Sequence, residues 1–121
     1  MSSMPELSIF SKDPSKGNFP AGHRFFSFGE RGELMYVVVS GEVEITLRGK
    51  LLETVGPGGL FGEMALIDHH ERSADVVAKT DVEAALIDQK RFLYLVSHHP
   101  FFAVEVMKVM AFRLRRFDAS L

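Results

Sequence analysis

Short apolar segments separated by glycines dominate the sequence between residues 22 and 62. The segments RFFSF, LMYVVVS, EVEITLR and LLETV contain five to seven residues each, which is too few for a helix of ordinary length. Their β-branched and aromatic side chains favour strands, whereas glycine allows the left-handed backbone of tight turns. Strands of this length at such regular spacing predict a mainly β domain, either a sandwich or a barrel.

Two of these segments together predict a hairpin with one solvent-exposed face. In GEVEITLRGKLLETVG the chain is expected to turn at residues 48–50, and Val43, Ile45 and Leu47 alternate with polar residues. Such alternation places one side of the hairpin against the core and the other in water. Strand-like texture returns in ADVVAKTD and VEAALID, so the β region extends to about residue 89.

The apolar period then changes from two to that of a helix. KRFLYLVSHH is followed by Pro100, and Asp88 is placed to cap this helix at its N-terminus. A second helix follows Pro100 and is apolar on two sides, so it needs two surfaces to pack against, the barrel and a partner subunit. Its two apolar rows are Ala103, Met107, Met110, Leu114 and Phe117, and Phe102, Val106 and Val109.

Composition excludes several classes of protein. The 121 residues fit one domain, the formal net charge is −2, and there is no cysteine. A disulfide framework, a thiol nucleophile and a cysteine-based zinc site are therefore excluded, and nothing favours a nucleic-acid or anionic membrane surface. No apolar stretch reaches the ~18 residues of a membrane span, and the N-terminus has no signal-peptide pattern. We expect a cytoplasmic protein.

The run FGEMALIDHHERSADVVAKT combines an anion site with one acid. Glycines precede a short helical segment at 63–67, where converging backbone N–H groups could accept a phosphate. Arg72 adds a guanidinium fork, with Ser73 and the Ala74 amide as further donors. A carboxylate at Glu63 would repel phosphate, so it is expected to accept a hydrogen bond from a sugar hydroxyl. Together these groups describe a nucleotide with little exposed phosphate charge.

This run resembles the phosphate-binding cassette of the cyclic nucleotide-binding domain family. That family includes catabolite-activator regulators, the regulatory subunits of cAMP-dependent kinase and cyclic-nucleotide-gated channels. The family pattern Phe-Gly-Glu-x-Ala-Leu, a short tip and Arg-x-Ala is met by Phe61, Gly62, Glu63, Ala65, Leu66, Arg72 and Ala74. The stretch PAGHRFFSFGERGELMYVVVSGEVEI is similar to the family's first barrel strands, and the likeness covers roughly residues 20–117.

The resemblance implies a fold, a ligand and site residues. It implies one domain over residues 1–121: a jelly-roll barrel at about 20–89 with short helices at both ends, the C-terminal ones at about 89–118. Glu63 would accept from the ribose 2′-OH, Arg72 would neutralise the cyclic phosphate, and Phe117 of a helical lid would stack on the base. The implied binding residues are Phe61, Gly62, Glu63, Met64, Ala65, Arg72, Ser73, Ala74 and Phe117.

The expected function is that of a signalling module. The ligand would be cAMP, or alternatively cGMP, with no cofactor, and the last helix would pass the signal to an unidentified protein. One expectation is that the last helix pairs with that of a second copy of the chain to form a homodimer. The competing hypothesis is an interaction or scaffold domain of the same fold that binds no nucleotide.

Three other interpretations are disfavoured. The five histidines lack the spacing of a cupin-type metal site, and His98-His99 suits the negative end of a helix. No nucleophile motif is present, so an enzyme is not expected. Arg113, Arg115 and Arg116 are interpreted as charges that serve solubility and the helix dipole rather than as a nucleic-acid patch. No helix-turn-helix follows the last helix, so direct DNA binding by this chain is not expected.

Overall fold

The computed structural model describes Phe10, Asp13 and residues 16–68 and 71–120, the last four of them by their backbone alone. The described chain is mainly β with helices at its C-terminal end. In chain order its elements are β1 (Lys16–Phe19), β2 (Arg24–Phe26), β3 (Met35–Ser40), β4 (Val43–Leu47), β5 (Lys50–Val55), β6 (Leu60–Phe61), α1 (Met64–Ile67), β7 (Asp75–Ala78), β8 (Val82–Ile87), α2 (Gln89–His98) and α3 (Pro100–Ser120).

The strands form two four-stranded antiparallel sheets of jelly-roll type. The first sheet has the order β1-β8-β3-β6 and the second the order β2-β7-β4-β5. No pair of sequence neighbours lies side by side in the first sheet, which is the crossing connectivity of a jelly roll rather than that of a simple meander. The predicted mainly β, jelly-roll fold is thereby confirmed. The N-terminal helix expected from the resemblance lies outside the described residues.

The predicted hairpin is the one between β4 and β5. Its strands pair from Val43 with Val55 down to Leu47 with Lys50, which leaves a two-residue turn. Both turn residues have positive φ angles, 53° at Arg48 and 79° at Gly49. Two positive φ angles define the type I′ turn, whose twist matches that of the flanking strands. The turn therefore lies where the sequence predicted it.

The core has two layers that share strand β3. Tyr36 and Val38 point between the sheets, whereas Met35 and Val37 point toward the helices. Because successive side chains of a strand face opposite sides, a strand buried on both sides reads as the continuous apolar run MYVVV. This strand holds the sheets and the helical layer together.

The helices cover the outer face of the first sheet. Asp88 caps α2, as predicted, by accepting a hydrogen bond from the Arg91 amide at 2.8 Å. Of the two apolar rows of α3, the one that packs on the barrel is Phe102, Val106 and Val109. The other row is divided: the side chains of Met107 and Leu114 are exposed, whereas Met110 is partly buried against the core. Among the described helices, none combines the length and hydropathy that crossing a bilayer requires.

Candidate functional site

A cavity of about 550 Å³ opens between the second sheet, the segment that contains α1, and the inner face of α3. Its apolar walls come mainly from Phe26, Phe61, Val76 and Met110. Two arginines from different parts of the chain line its two ends: Arg72, which is buried, and Arg113, which is largely buried. Volumes of 300–1,000 Å³ are usual for small-molecule sites, so the cavity has room for a nucleotide-sized ligand.

At one end, Arg72 is surrounded by main-chain oxygens and one aromatic ring. Its Nη1 donates to the Gly62 carbonyl at 3.1 Å and its Nη2 to the Leu34 carbonyl at 2.9 Å. The guanidinium carbon lies 4.0 Å from the centre of the Phe26 ring, within the range of a cation–π contact. Gly62 has a φ of 82°, a left-handed conformation that glycine adopts without steric cost. We call Arg72, Gly62, Leu34, Phe26 and Gly32 the Arg72 cluster.

The charge of Arg72 is buried, and no carboxylate of the described residues forms an ion pair with it. Only 7% of the residue is exposed, and its Nε is buried and has no hydrogen-bond partner among the described residues. Burial lowers the pKa of Arg72 below the ordinary arginine value, although Tyr36 and Glu63 act in the opposite direction. A buried cation with a free donor is the arrangement that a ligand anion would stabilise.

At the other end, Arg113 of α3 is held by two acids. Its Nε donates to Glu53 Oε1 at 3.0 Å and its Nη2 to Glu53 Oε2 at 3.3 Å. Nη2 also donates to the Leu60 carbonyl at 2.6 Å, and Nη1 forms a close ion pair with Glu63. The C-terminal helix is therefore joined to β5, to β6 and to the residue that precedes α1. We call Arg113, Glu53, Glu63 and the Leu60 carbonyl the Arg113 cluster.

Burial and pairing act against each other in the Arg113 cluster. Burial raises the pKa of Glu63 above its usual value, while the Arg113 guanidinium opposes that rise. Burial alone would lower the pKa of Arg113, but the Glu63 and Glu53 carboxylates together raise it. The arginine is thus firmly charged, and Glu63 is the group of the pair that takes up a proton more readily than an exposed glutamate.

Eight of the nine predicted binding residues line this one cavity. These are Phe61, Gly62, Glu63, Met64, Ala65, Arg72, Ser73 and Ala74. Within this set Phe61, Glu63, Ala65, Arg72 and Ala74 are buried, whereas Met64 and Ser73 are exposed. The ninth, Phe117, belongs to α3 by its backbone, but its side chain lies outside the described part of the structure. Their roles toward a ligand stay predictions.

The sequence reading missed Arg113 and Glu53. The interpretation of Arg113 as a surface charge at a helix end is wrong, because its side chain is 14% exposed and paired with two acids. A signal was present: Arg113 follows Val106 and Val109 at spacings of seven and four, so it continues the row that packs on the barrel. Glu53 gives no comparable signal, because its partner Arg113 lies 60 residues away in the sequence.

Metal binding finds no support in the described chain. No group of three His, Asp or Glu side chains there could hold a metal ion. His98 ends α2 and places its Nδ1 2.9 Å from the Tyr94 carbonyl, with its ring stacked on that of Tyr94. His69 and His70 lie outside the described residues.

Residues 16–99 match the family model of the cyclic nucleotide-binding domain. The cyclic AMP receptor protein of Thermus thermophilus is 38% identical over 108 residues, which are 85% of this chain and 50% of that protein. The chain thus spans about half the length of these curated relatives.

Solved structures show the same likeness. The catabolite activator protein of Thermus thermophilus superposes with a TM-score of 0.80 and 34% identity, over 97% of this chain and 58% of that one. The cGMP-bound form of the EAL enzyme Bd1971 superposes with a TM-score of 0.66 and 35% identity, over 87% of this chain and 29% of that one.

Proposed function

The chain belongs to the cyclic nucleotide-binding domain family, and on that premise we propose that it is a sensor module that binds a cyclic nucleotide in the cavity between Arg72 and Arg113. The first candidate is cAMP, because the cyclic AMP receptor protein of Thermus thermophilus is named for it. The second is cGMP, because the related Bd1971 structure is described as a cGMP-bound form. The proposal is for binding and regulation, with no catalytic role and a cytoplasmic location.

The proposal depends chiefly on Arg72. A cyclic phosphate carries one negative charge, and the Arg72 cluster presents one buried guanidinium whose Nε has no hydrogen-bond partner in the part of the chain that the structure describes. Charge-assisted hydrogen bonds of this kind are stronger than neutral ones, and burial strengthens them further. Gly62 brings its backbone to the guanidinium without a side chain in the way.

Signalling through the C-terminal helix is proposed from the Arg113 cluster. Glu63 is the predicted acceptor for the ribose hydroxyl, and it is paired with Arg113 of α3. A ribose hydroxyl on Glu63 would compete with Arg113 or reorient it, and α3 carries that arginine. A ligand shifts a helix only as far as it binds two helix positions with different affinity. Competition at Glu63 supplies that difference.

The outer face of α3 is the proposed contact for a partner. Val104 and Met107 are exposed on it, and exposed apolar side chains that lie together often mark interaction sites. We propose that a second copy of the chain packs there as a homodimer, with an unidentified downstream protein receiving the signal. Direct DNA binding by this segment is not part of the proposal. A mass measurement in solution, with and without cAMP, tests the dimer.

A calorimetric titration with cAMP and with cGMP tests the function. Thermal shifts provide the first screen, since a ligand at 100 times its dissociation constant stabilises the folded state by about 2.7 kcal/mol. Arg72→Ala should weaken binding at least ~10-fold, because a charge-assisted contact contributes about 1.5–3 kcal/mol. Arg72→Lys keeps the positive charge without the forked guanidinium, so its affinity should lie between those of the wild type and Arg72→Ala.

The control is Arg24→Ala, which removes an exposed arginine paired with Asp75 and should leave affinity unchanged. Equal affinity of wild type and Arg72→Ala would refute the site. No thermal shift with either nucleotide would favour the scaffold hypothesis.

A further inference from the structure

The side chain of Arg72 occupies space that exists only because residue 32 has no side chain. A Cβ atom placed on Gly32 would lie 2.6 Å from Nε and 2.7 Å from Cζ of Arg72, and closer still to Nη2. Real Cβ atoms do not approach other heavy atoms to such distances. The guanidinium therefore packs directly on the backbone of the loop between β2 and β3.

The same loop holds Arg72 at three further points. The Arg72 amide donates to the Glu30 carbonyl at 2.8 Å, and the Gly29 amide donates to the Arg72 carbonyl at 2.8 Å. The side chain then passes Gly32 and reaches the Leu34 carbonyl. Main chain and side chain of the arginine are thus aligned along residues 29–34.

Backbone conformation does not explain the glycine at residue 32. Gly22, Gly29, Gly41, Gly49, Gly58 and Gly62 have positive φ angles, and Gly32 is not among them. Alanine can adopt its backbone without strain, and the three atoms nearest to its Cβ would all belong to Arg72. Because the distal end of a flexible side chain can move aside, a methyl group at residue 32 would displace the guanidinium of Arg72 rather than the backbone.

We propose that Gly32 is a positioning residue for Arg72: it leaves the space that keeps the guanidinium in the cavity wall, where its two Nη groups bind the Gly62 and Leu34 carbonyls and an anionic ligand can contact it. This inference rests on the proposed nucleotide site and adds a determinant outside the segment 61–74. A methyl group at residue 32 displaces the guanidinium by about an ångström, because nonbonded contacts need at least ~3.4 Å. The displacement breaks the hydrogen bond to the Leu34 carbonyl and moves the guanidinium away from the position where it would contact the ligand.

Gly32→Ala is compared with Gly56→Ala in the wild-type and Arg72→Ala backgrounds. Gly56 is the matched control, since its φ is not positive and its Cβ would meet nothing within 4 Å. In the wild-type background Gly32→Ala should weaken cAMP binding roughly tenfold, and Gly56→Ala should leave it unchanged. In the Arg72→Ala background Gly32→Ala should have no further effect, because the group it displaces is gone.

Urea unfolding without nucleotide provides an independent measurement. Gly32→Ala should lower the unfolding midpoint when Arg72 is present, and in Arg72→Ala it should leave the midpoint unchanged or raise it slightly, because alanine restricts the unfolded chain more than glycine does. A loss of the same size in both backgrounds would overturn the proposal, as would unaltered or tighter cAMP binding by Gly32→Ala. If neither cAMP nor cGMP binds the wild type, the proposed function fails, while the unfolding cycle still decides whether Gly32 positions Arg72.

Discussion

The two arginines at the ends of the cavity are held in opposite ways. Arg72 contacts two carbonyl oxygens and an aromatic ring, and its Nε has no hydrogen-bond partner among the described residues, whereas Arg113 is bound by the carboxylates of Glu53 and Glu63. Burial lowers the pKa of Arg72 below the ordinary arginine value. The two carboxylates beside Arg113 raise its pKa above that value. One guanidinium is therefore available to a ligand anion, and the other is neutralised within the protein.

Under the proposed function, this difference separates ligand recognition by Arg72 from signal transmission through Arg113. Carbonyl dipoles orient a guanidinium without cancelling its charge, so Arg72 can attract a phosphate. Full charges cancel each other, so Arg113 contributes a connection between α3 and the cavity wall rather than an attraction for anions. The comparison predicts that changes in the Arg113 cluster mainly affect the stability of the fold, whereas changes in the Arg72 cluster mainly affect ligand affinity.

Arg113→Ala should lower the free energy of unfolding by about 3–5 kcal/mol. Removing one partner of a buried ion pair leaves an uncompensated charge, and here two carboxylates, each less than 12% exposed, would remain. Arg72→Ala should cost only about 1–3 kcal/mol, since it leaves carbonyl groups rather than charges without a partner. Urea unfolding of the two variants measures the difference.

Lys108→Ala is the control for this comparison, because its pair with Glu105 is largely exposed on the lysine side and such pairs contribute about 0–1 kcal/mol. Equal losses in Arg113→Ala and Arg72→Ala would contradict the contrast between the two clusters.

Glu63→Gln should flatten the pH dependence of stability at the acidic side of neutrality. Because the folded-state pKa of Glu63 is raised, the folded state binds its proton more tightly than the unfolded state. Its contribution is fully present below the unfolded-state pKa of about 4.3 and is lost as the pH rises through the folded-state pKa. The wild type should thus gain stability relative to Glu63→Gln on acidification, by at most about 1.4 kcal/mol per pH unit.

Urea unfolding between pH 4 and pH 8 gives the two curves, and their difference removes the contributions of the other carboxylates. Glu42→Gln serves as the control, since Glu42 is half-exposed in its pair with Lys79, and its curve should keep the shape of the wild type. Parallel curves for wild type and Glu63→Gln would refute the assignment of the raised pKa.

Phe26→Leu should weaken cAMP binding about 2- to 5-fold. The ring supports the Arg72 guanidinium from one side, and a cation–π contact contributes roughly 0.5–1 kcal/mol. Phe112→Leu is the matched variant on α3, where the ring is partly exposed and Arg116 lies 5.7 Å from its centre, and it should leave affinity unchanged. Calorimetry with cAMP compares them, and equal effects of the two changes would remove Phe26 from the Arg72 cluster.

Local patterns made much of this molecule predictable. The type I′ turn at Arg48-Gly49 and the Asp88 cap follow from interactions over two to four residues, and such signals survive in the sequence itself. The joint placement of Gly62 and Arg72 is also local, because the two residues lie ten positions apart in one segment. Glu53 could not be predicted in this way, since it meets Arg113 across 60 residues.

By itself, the sequence determined the strand-and-turn pattern, the switch to helices after residue 88, and the segment that carries the anion site. Periodicity and short-range spacing encode those features because each depends on near neighbours. Only the tertiary structure decided that Arg113 turns inward between two acids and that Gly32 makes room for Arg72. Both contacts join residues 40 or more apart, and no spacing rule reports which distant side chain will fill a given space once the two sheets and α3 have packed.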